Sequence, residues 1–311
     1  MATPSDPLLP VSPGARPDLF GPPTLAPALS LRDPTFAPAA VGASNLALEL
    51  HPSFLRVAAV ETPLARLRLL EEFSLPHPSA DELSLHDVRD LMNGYDVLTR
   101  NFWHSVRILV NNQSFTFVPD ALFRKEYAVR YLELARGTSL AGEKVHYTRH
   151  PGWNVVTVFS VPIRLDDWLM SVYPFEKMLV FHQLDGLLAL ALSGKASGGK
   201  RLYLMLENGA VSLVHTDDGK LVYANRFAFR SSTDLAYYLL FALDELNLNP
   251  ETLDVRTGGN LGADDELFRT LREHLPRVQL GGWPAPVAFD GPFADLEPHR
   301  FAGLTRIGTL P

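Results

Sequence analysis

Residues Arg201–Phe229 read RLYLMLENGAVSLVHTDDGKLVYANRFAF, and this stretch decides the fold. Arg201–Leu206 is a strand-like apolar run. Asn208-Gly209 follows it, and this pair makes a tight hairpin because both residues tolerate positive φ. Val211–His215 is the returning strand. Asp217-Asp218-Gly219 is a second hairpin turn and leads into Leu221–Phe229. The stretch therefore predicts three antiparallel strands in a row.

Beyond it, Ser231 followed three residues later by Asp234 forms a variant capping box and starts a helix. Leu235, Tyr238, Leu239, Ala242 and Leu246 recur at helical spacing, which predicts an apolar face with Tyr238 and Leu239 in the core. The helix stops near Asn249-Pro250. Leu253–Arg256 reads as a strand, Thr257-Gly258-Gly259 as a turn, Asp264–His274 as a helix and Arg277–Leu280 as a last strand. The order is βββαβαβ.

The same order occurs earlier. Leu46–Leu50, Phe54–Val60 and Leu67–Leu75 are candidate strands, Asp81–Thr99 a helix and Ser105–Val110 a fourth strand. An insertion of about 111–153 interrupts the pattern, with an amphipathic helix over Asp120–Ala135 whose apolar contacts are Leu122, Tyr127, Val129 and Leu132. Val155–Val161, a helix over Leu165–Val172 and a strand over Lys177–Phe181 resume it, and Leu184–Leu192 is a helix between the two units. The predicted domains are a proline-rich arm over 1–44, a first lobe over 45–192, a linker over 193–200 (SGKASGGK covers 193–200), and a second lobe with a C-terminal extension over 201–311. The arm has ten prolines in its first 40 residues, so it is expected to form neither helix nor sheet and to be dispensable for folding. The fold class is α/β: two mixed sheets with helices on their faces.

Composition bounds the function. The chain has 311 residues, 46% hydrophobic and 20% charged, enough for two domains. A net charge of −7 disfavours general attraction to nucleic acid or an anionic membrane. With no cysteine, disulfides, thiolate metal sites and cysteine nucleophiles are excluded. The opening MATPSDPLLP has neither basic nor apolar signal-peptide regions, and the longest apolar run is too short to span a bilayer. The expectation is a cytoplasmic protein with a protein partner and no membrane insertion.

Two βββαβαβ units joined by a helix resemble the actin-like superfamily, which includes the filament protein MreB and the pilus protein PilM and is built from duplicated ribonuclease H-like lobes. Phe227-x-Phe229, Ser231-x-x-Asp234, Tyr237-Tyr238-Leu239-Leu240 and Leu248-x-Pro250 also look like a bacterial domain-of-unknown-function family assigned that fold. The resemblance covers roughly residues 45–305 and implies an ATP-binding cleft between the lobes, with one phosphate hairpin in each. The first hairpin resembles D-x-G-T, and the matching stretch here is Glu49-Leu50-His51-Pro52. Glu49 partly replaces the acid, His51 stands where glycine would let phosphate approach, and Pro52 has no N–H to donate. In the second hairpin Met205 holds the family's acidic position. His182-Gln183-Leu184-Asp185-Gly186 stands where such ATPases carry E-P-x-A-A. Thr257-Gly258-Gly259-Asn260 resembles the glycine-rich adenosine loop, though a strand-to-helix turn also needs glycine.

Other motifs are weaker. Gly194-Lys195-Ala196-Ser197 imitates the end of a P-loop but lacks the upstream glycine. His146-x-x-x-His150 has helical zinc spacing, but Thr148, Arg149 and Pro151 favour a strand or loop, and Tyr147 replaces the zincin base. Asp87 and Asp90 read as one solvated helix face. A ribonuclease-type nuclease needs several strand carboxylates, and Met205 removes one. The leading reading is a non-catalytic actin-like binding or scaffold protein without cofactor or metal. The alternatives are a divergent ATP·Mg²⁺-binding protein or weak ATPase using Glu49 and Thr257–Asn260, and a metabolite-binding module using the same cleft.

Overall fold

The computed structural model describes residues 24–62, 64–77, 83–99, 102–174, 177–193 and 198–310. The first lobe opens with β1 (Leu29–Arg32), β2 (Ser44–His51), β3 (Phe54–Glu61) and β4 (Arg66–Ser74). Then come α1 (Leu85–Asn93), the short α2 (Asp96–Thr99) and β5 (Ser105–Val110). An inserted unit follows: β6 (Phe115–Pro119), α3 (Ala128–Arg136), β7 (Glu143–His150) and β8 (Val155–Pro162). The lobe closes with α4 (Ile163–Val172), β9 (Met178–His182) and α5 (Gln183–Ser193), which runs between the lobes. The second lobe is β10 (Lys200–Glu207), β11 (Ala210–Asp217), β12 (Lys220–Ala228), α6 (Ser232–Glu245), β13 (Asp254–Gly259), α7 (Glu266–His274) and β14 (Val278–Leu280). A last helix, α8, covers Ala302–Thr309.

The βββαβαβ order expected from the sequence is present in both lobes. The sheets share one topology: β4-β3-β2-β5-β9 in the first and β12-β11-β10-β13-β14 in the second, with β1 added at the edge of the first. In each, the three leading strands are antiparallel and the later ones join in parallel through crossover helices. The second turn behaves as its residues dictate, with Asp218 and Gly219 at φ +45° and +70°; in the first, Gly209 takes +80° while Asn208 keeps negative φ, so the turn is tight without both central residues being left-handed.

Strand alternation divides each lobe into two cores. Leu46, Leu48 and Leu50 pack with Val88, Leu91 and Leu169 on the outer face of the first sheet. Ala47, Ala58 and Val60 point to the other face and meet Phe301, Leu304 and Ile307. In the second lobe Leu202, Leu204 and Leu206 pack on Leu235, Leu239 and Leu243 of α6, while Tyr203 and Met205 meet Leu184, Leu187 and Leu188 of α5. Glu49 and Glu207 continue the inner series on their strands, so both carboxylates are delivered to the space between the lobes.

Several local expectations are corrected. Residues 29–32, assigned above to an arm without sheet, pair antiparallel with β4, because Leu29 and Leu31 find an apolar edge and Asp33 meets Arg66 and Arg68. Residues 1–23 of that arm lie outside the described residues, as do 194–197, where the P-loop imitation sits. β8 belongs to the inserted sheet, order β6-β8-β7, rather than to the resumed lobe. The inserted helix begins at Ala128 after a 3₁₀ turn at Lys125–Tyr127. Leu132 alone of its four proposed contacts is buried; Leu122, Tyr127 and Val129 are exposed. Asp87 is buried and held by His77, so it does not share the solvated face of Asp90. Finally, α8 returns to the first lobe: Asn45 Nδ2 donates to the Gly308 carbonyl at 2.9 Å, and Arg107 Nη1 to the Ile307 carbonyl at 2.6 Å.

Candidate functional site

The cleft is walled by the two leading hairpins, which have matching register. His51 pairs with Phe54 across the first turn, and Glu207 with Ala210 across the second. Glu49 and Met205 therefore hold equivalent rungs, as the sequence comparison of the hairpins requires. From Glu49 the rung continues through Arg56 to Glu72; from Met205 it continues through Ser212 to Arg226. Two arginines thus project into the space between the lobes.

Arg56 is fully buried. Its Nε donates to Glu72 at 2.6 Å, and its Nη1 lies 3.4 Å from Glu49 Oε2 and 3.9 Å from Glu207 Oε2. It also donates to the Arg300 carbonyl at 3.3 Å and stacks over Phe54 at 4.3 Å. Arg226 donates to the Ser212 hydroxyl at 2.9 Å and, by shorter bonds, to Gln183 at the start of α5 and to Asn111 after β5. One guanidinium thereby ties the second lobe to the first and to the helix between them.

Three carboxylates (Glu49, Glu72, Glu207) face these two cations. Burial, reinforced by Glu49, pushes Glu207 up to about 8; burial likewise raises Glu49, opposed by Arg56. Two buried carboxylates beside one guanidinium disfavour the state in which both are ionised. Burial lowers Arg226 to about 10, which leaves it charged. His51 is pushed down to about 3 by burial and by Arg226 and Arg56, so its ring is neutral. Its Nδ1 accepts from the Ser53 amide at 3.1 Å, and the ring stacks on Phe54 with centroids 4.3 Å apart.

The two turns touch. Asn208 Nδ2 donates to the Ser53 hydroxyl at 3.2 Å, and Asn260 Nδ2 donates to Asn208 Oδ1 at 2.7 Å. A cavity of about 310 Å³ lies beside them, lined by Pro52, Asn112, Gln113, Gly209 and Arg226. These residues do not fit a Mg²⁺–phosphate group. Its place on the rungs is taken by guanidinium groups, Pro52 has no donor, and the turns that would flank phosphate are bonded to each other. Among the described residues no cluster of three metal-ligating side chains occurs.

The proposed nucleotide residues fall in two places. Glu49 is in the arginine cluster. Thr257 and the two glycines end β13, where packing explains the glycines: a Cβ on Gly258 would lie 2.6 Å from Trp283, and one on Gly259 (φ +94°) would lie 2.0 Å from the Leu206 carbonyl. Asn260 reaches the cleft rim, where its Oδ1 accepts from Arg300 at 3.1 Å. Glu49 and Asn260 do not touch: Arg56 bonds Glu49 and the Arg300 carbonyl, and the Arg300 side chain bonds Asn260. His146 and His150 lie on strand β7 and bond separate carboxylates, Asp166 at 2.7 Å and Asp185 at 2.9 Å, so they do not converge on a metal. Sequence reasoning missed Arg56, Arg226, Glu207, Asn111 and Gln183. For the two arginines the available signal was their place inside mainly apolar strands, FLRVAAVE and KLVYANRFA.

The fold has solved relatives. A Bacteroides thetaiotaomicron protein with an actin-like ATPase fold and unknown function is 20% identical, with a TM-score of 0.70 over 79% of this chain and 93% of that one. A chain of the PilM–PilN type IV pilus biogenesis complex is 15% identical, with a TM-score of 0.61 over 86% of this chain and 99% of that one. These similarities establish the two-lobed actin-like architecture. No curated protein matches the sequence. The model of one family, described as Protein of unknown function (DUF3822), matches residues 33–278, and the chain belongs to that family.

Proposed function

We propose that this protein is a non-hydrolysing actin-like scaffold that binds another protein, with its lobes fixed by side chains rather than by nucleotide. The observation that carries the reading is Arg226, which bonds Asn111 and Gln183 across the cleft while Asn208 bonds Ser53. An ATPase of this fold needs donors and a metal aimed at developing phosphoryl charge. Here the corresponding space holds two internal cations and three carboxylates. Binding to a partner is supported by α6, whose outer face exposes Tyr237 by 64%, Leu240 by 43% and Phe241 by 49%. The PilM relative was solved with PilN, which gives the architecture a precedent for partner binding.

The test has two arms. Purified protein is assayed for Mg²⁺-dependent ATP turnover and for a thermal shift with ATP·Mg²⁺. Background turnover and an unchanged melting temperature are expected; turnover lost in Glu49→Gln overturns the reading. A photo-crosslinking residue at position 237, used in the native host, is expected to give one discrete adduct that is absent from a position-273 control. Equal labelling at both positions removes the scaffold role.

A further inference from the structure

A second cavity, of about 600 Å³, lies in the first lobe and shares Asn111 and Asn112 with the lining of the smaller cavity beside the hairpin turns. Its size falls in the range of about 300–1,000 Å³ that is usual for small-ligand pockets. Three parts of the chain build it. Leu50 and Val110 end the adjacent parallel strands β2 and β5; Val161 and Leu165 come from the β8–α4 junction; and Leu83 and Leu85 flank the start of α1. The ends of parallel strands beside a helix start are where open α/β sheets place ligands.

One side of this apolar cavity is polar, and among the described residues its lining carries one permanent charge, that of Arg164. Arg164, His86 and His77 line it, with Ser84 at the cap of α1, whose helix dipole adds partial positive charge. Among the described residues no carboxylate lines it. Asp87 is in the first turn of α1, but it is held by the His77 amide at 3.1 Å and the ring at 2.9 Å. Arg164 is exposed, and among the described residues no bond engages its guanidinium. Asn111 supplies an independent sign of a ligand. It lines the cavity and is 8% exposed, and its Oδ1 is committed to Arg226. Because arginine has only donors, this fixes the amide orientation, and the buried Nδ2 is left with no partner. A buried donor without an acceptor is costly and calls for one.

We propose that this cavity binds a small amphipathic carboxylate, with its apolar body among Leu50, Val110, Val161 and Leu165 and its acid group on Arg164 and Asn111. The site shares Asn111 with the scaffold reading, since Arg226 orients that amide, but it uses neither the Asn208–Ser53 contact nor α6, so decanoate binding and crosslinking at position 237 fail separately. Aliphatic and aryl acids share this chemistry, and competition between decanoate and 4-butylbenzoate separates them.

Isothermal titration of the full-length protein with decanoate, kept below its micellar concentration, tests the site. Saturable one-to-one binding is expected, about tenfold or more tighter than for 1-decanol, because only the acid engages a charged donor. Arg164→Glu is expected to weaken decanoate about tenfold or more, with Arg164→Lys retaining most of the affinity. Arg164 is exposed, so neither change threatens folding. Leu83→Trp is expected to fill the apolar volume and abolish binding without lowering the melting temperature. Equal affinity for decanol, indifference to Arg164→Glu, or absence of saturable binding overturns the proposal.

Discussion

Asn208 Nδ2 donates to the Ser53 hydroxyl at 3.2 Å, joining two hairpin turns 155 residues apart in sequence. On the proposed scaffold reading, this bond ties together the two turns that the resemblance to actin-like ATPases would place on either side of phosphate. It also makes the relation between the lobes a property of side chains, which mutation can probe directly.

Arg226 is the principal tie. Replacing it with Met keeps most of the volume but removes the cation that bonds Asn111, Gln183 and Ser212. The nearby Glu49 and Glu207 also lose its attraction. Breaking a buried charge network by removing one partner costs about 3–5 kcal/mol. Chemical denaturation is expected to show a loss in that range; a change below about 1 kcal/mol would place the tie elsewhere.

Stability is expected to depend on Glu207 ionisation. Its ordinary value of 4.5 is raised to about 8 in the folded protein, so between those values the folded state binds more protons than the unfolded state. The contribution is fully present below about pH 4.5 and is lost as pH rises through about 8. Glu207→Gln is expected to flatten that fall and raise the melting temperature at pH 9 relative to the wild type. An unchanged pH profile would assign the titration to another group.

The two faces of α6 should respond oppositely. Leu239, 2% exposed, packs in the second-lobe core, and Leu239→Ala is expected to cost about 2–5 kcal/mol. Tyr237→Ser on the outer face is expected to change stability by less than about 0.5 kcal/mol. Parallel denaturation curves measure both; a large loss for Tyr237→Ser would make that face structural.

The segment 24–43 is expected to contribute to folding, contrary to the dispensable arm expected from the sequence. Phe36 is buried with its ring centroid 6.4 Å from that of Trp103, and Ser30 donates to Glu71 at 2.9 Å. A chain starting at Ser44 is expected to lose at least about 2 kcal/mol. A melting temperature equal to that of the full chain would show that β1 contributes nothing.

Local chemistry made the architecture readable. Asn208-Gly209, Asp218-Gly219 and the Ser231 cap specify their turns and helix start within a few residues, so the order of elements could be traced from sequence. β1 was hidden because proline density masked the alternation of Leu29 and Leu31. The inserted helix was overextended because the apolar residues Leu122, Tyr127 and Val129 match a helical face that the fold leaves exposed. The site was half legible. Departures from the phosphate pattern at His51, Pro52 and Met205 could be read in place, since each acts through its own backbone or side chain. What fills the cleft could not be read, because Arg226 meets Asn111 over a separation of 115 residues and Gln183 over 43. The glycines at 258 and 259 looked like a ligand loop for a related reason: a close approach to Leu206 and to Trp283 imposes the same residue type as a close approach to a ligand.

The return of α8 to the first lobe has a consequence for synthesis on the ribosome. The inner face of the first sheet is completed by Phe301, Leu304 and Ile307, and Asn45 finds its acceptor 263 positions later. While the chain is being made, Ala47, Ala58, Val60 and Leu70 therefore form a sheet face with no cover until the second lobe has been translated. Closure of such a long-range contact is slow compared with local hairpin formation. The nascent first lobe thus carries an apolar surface until α8 has been made and has left the ribosome.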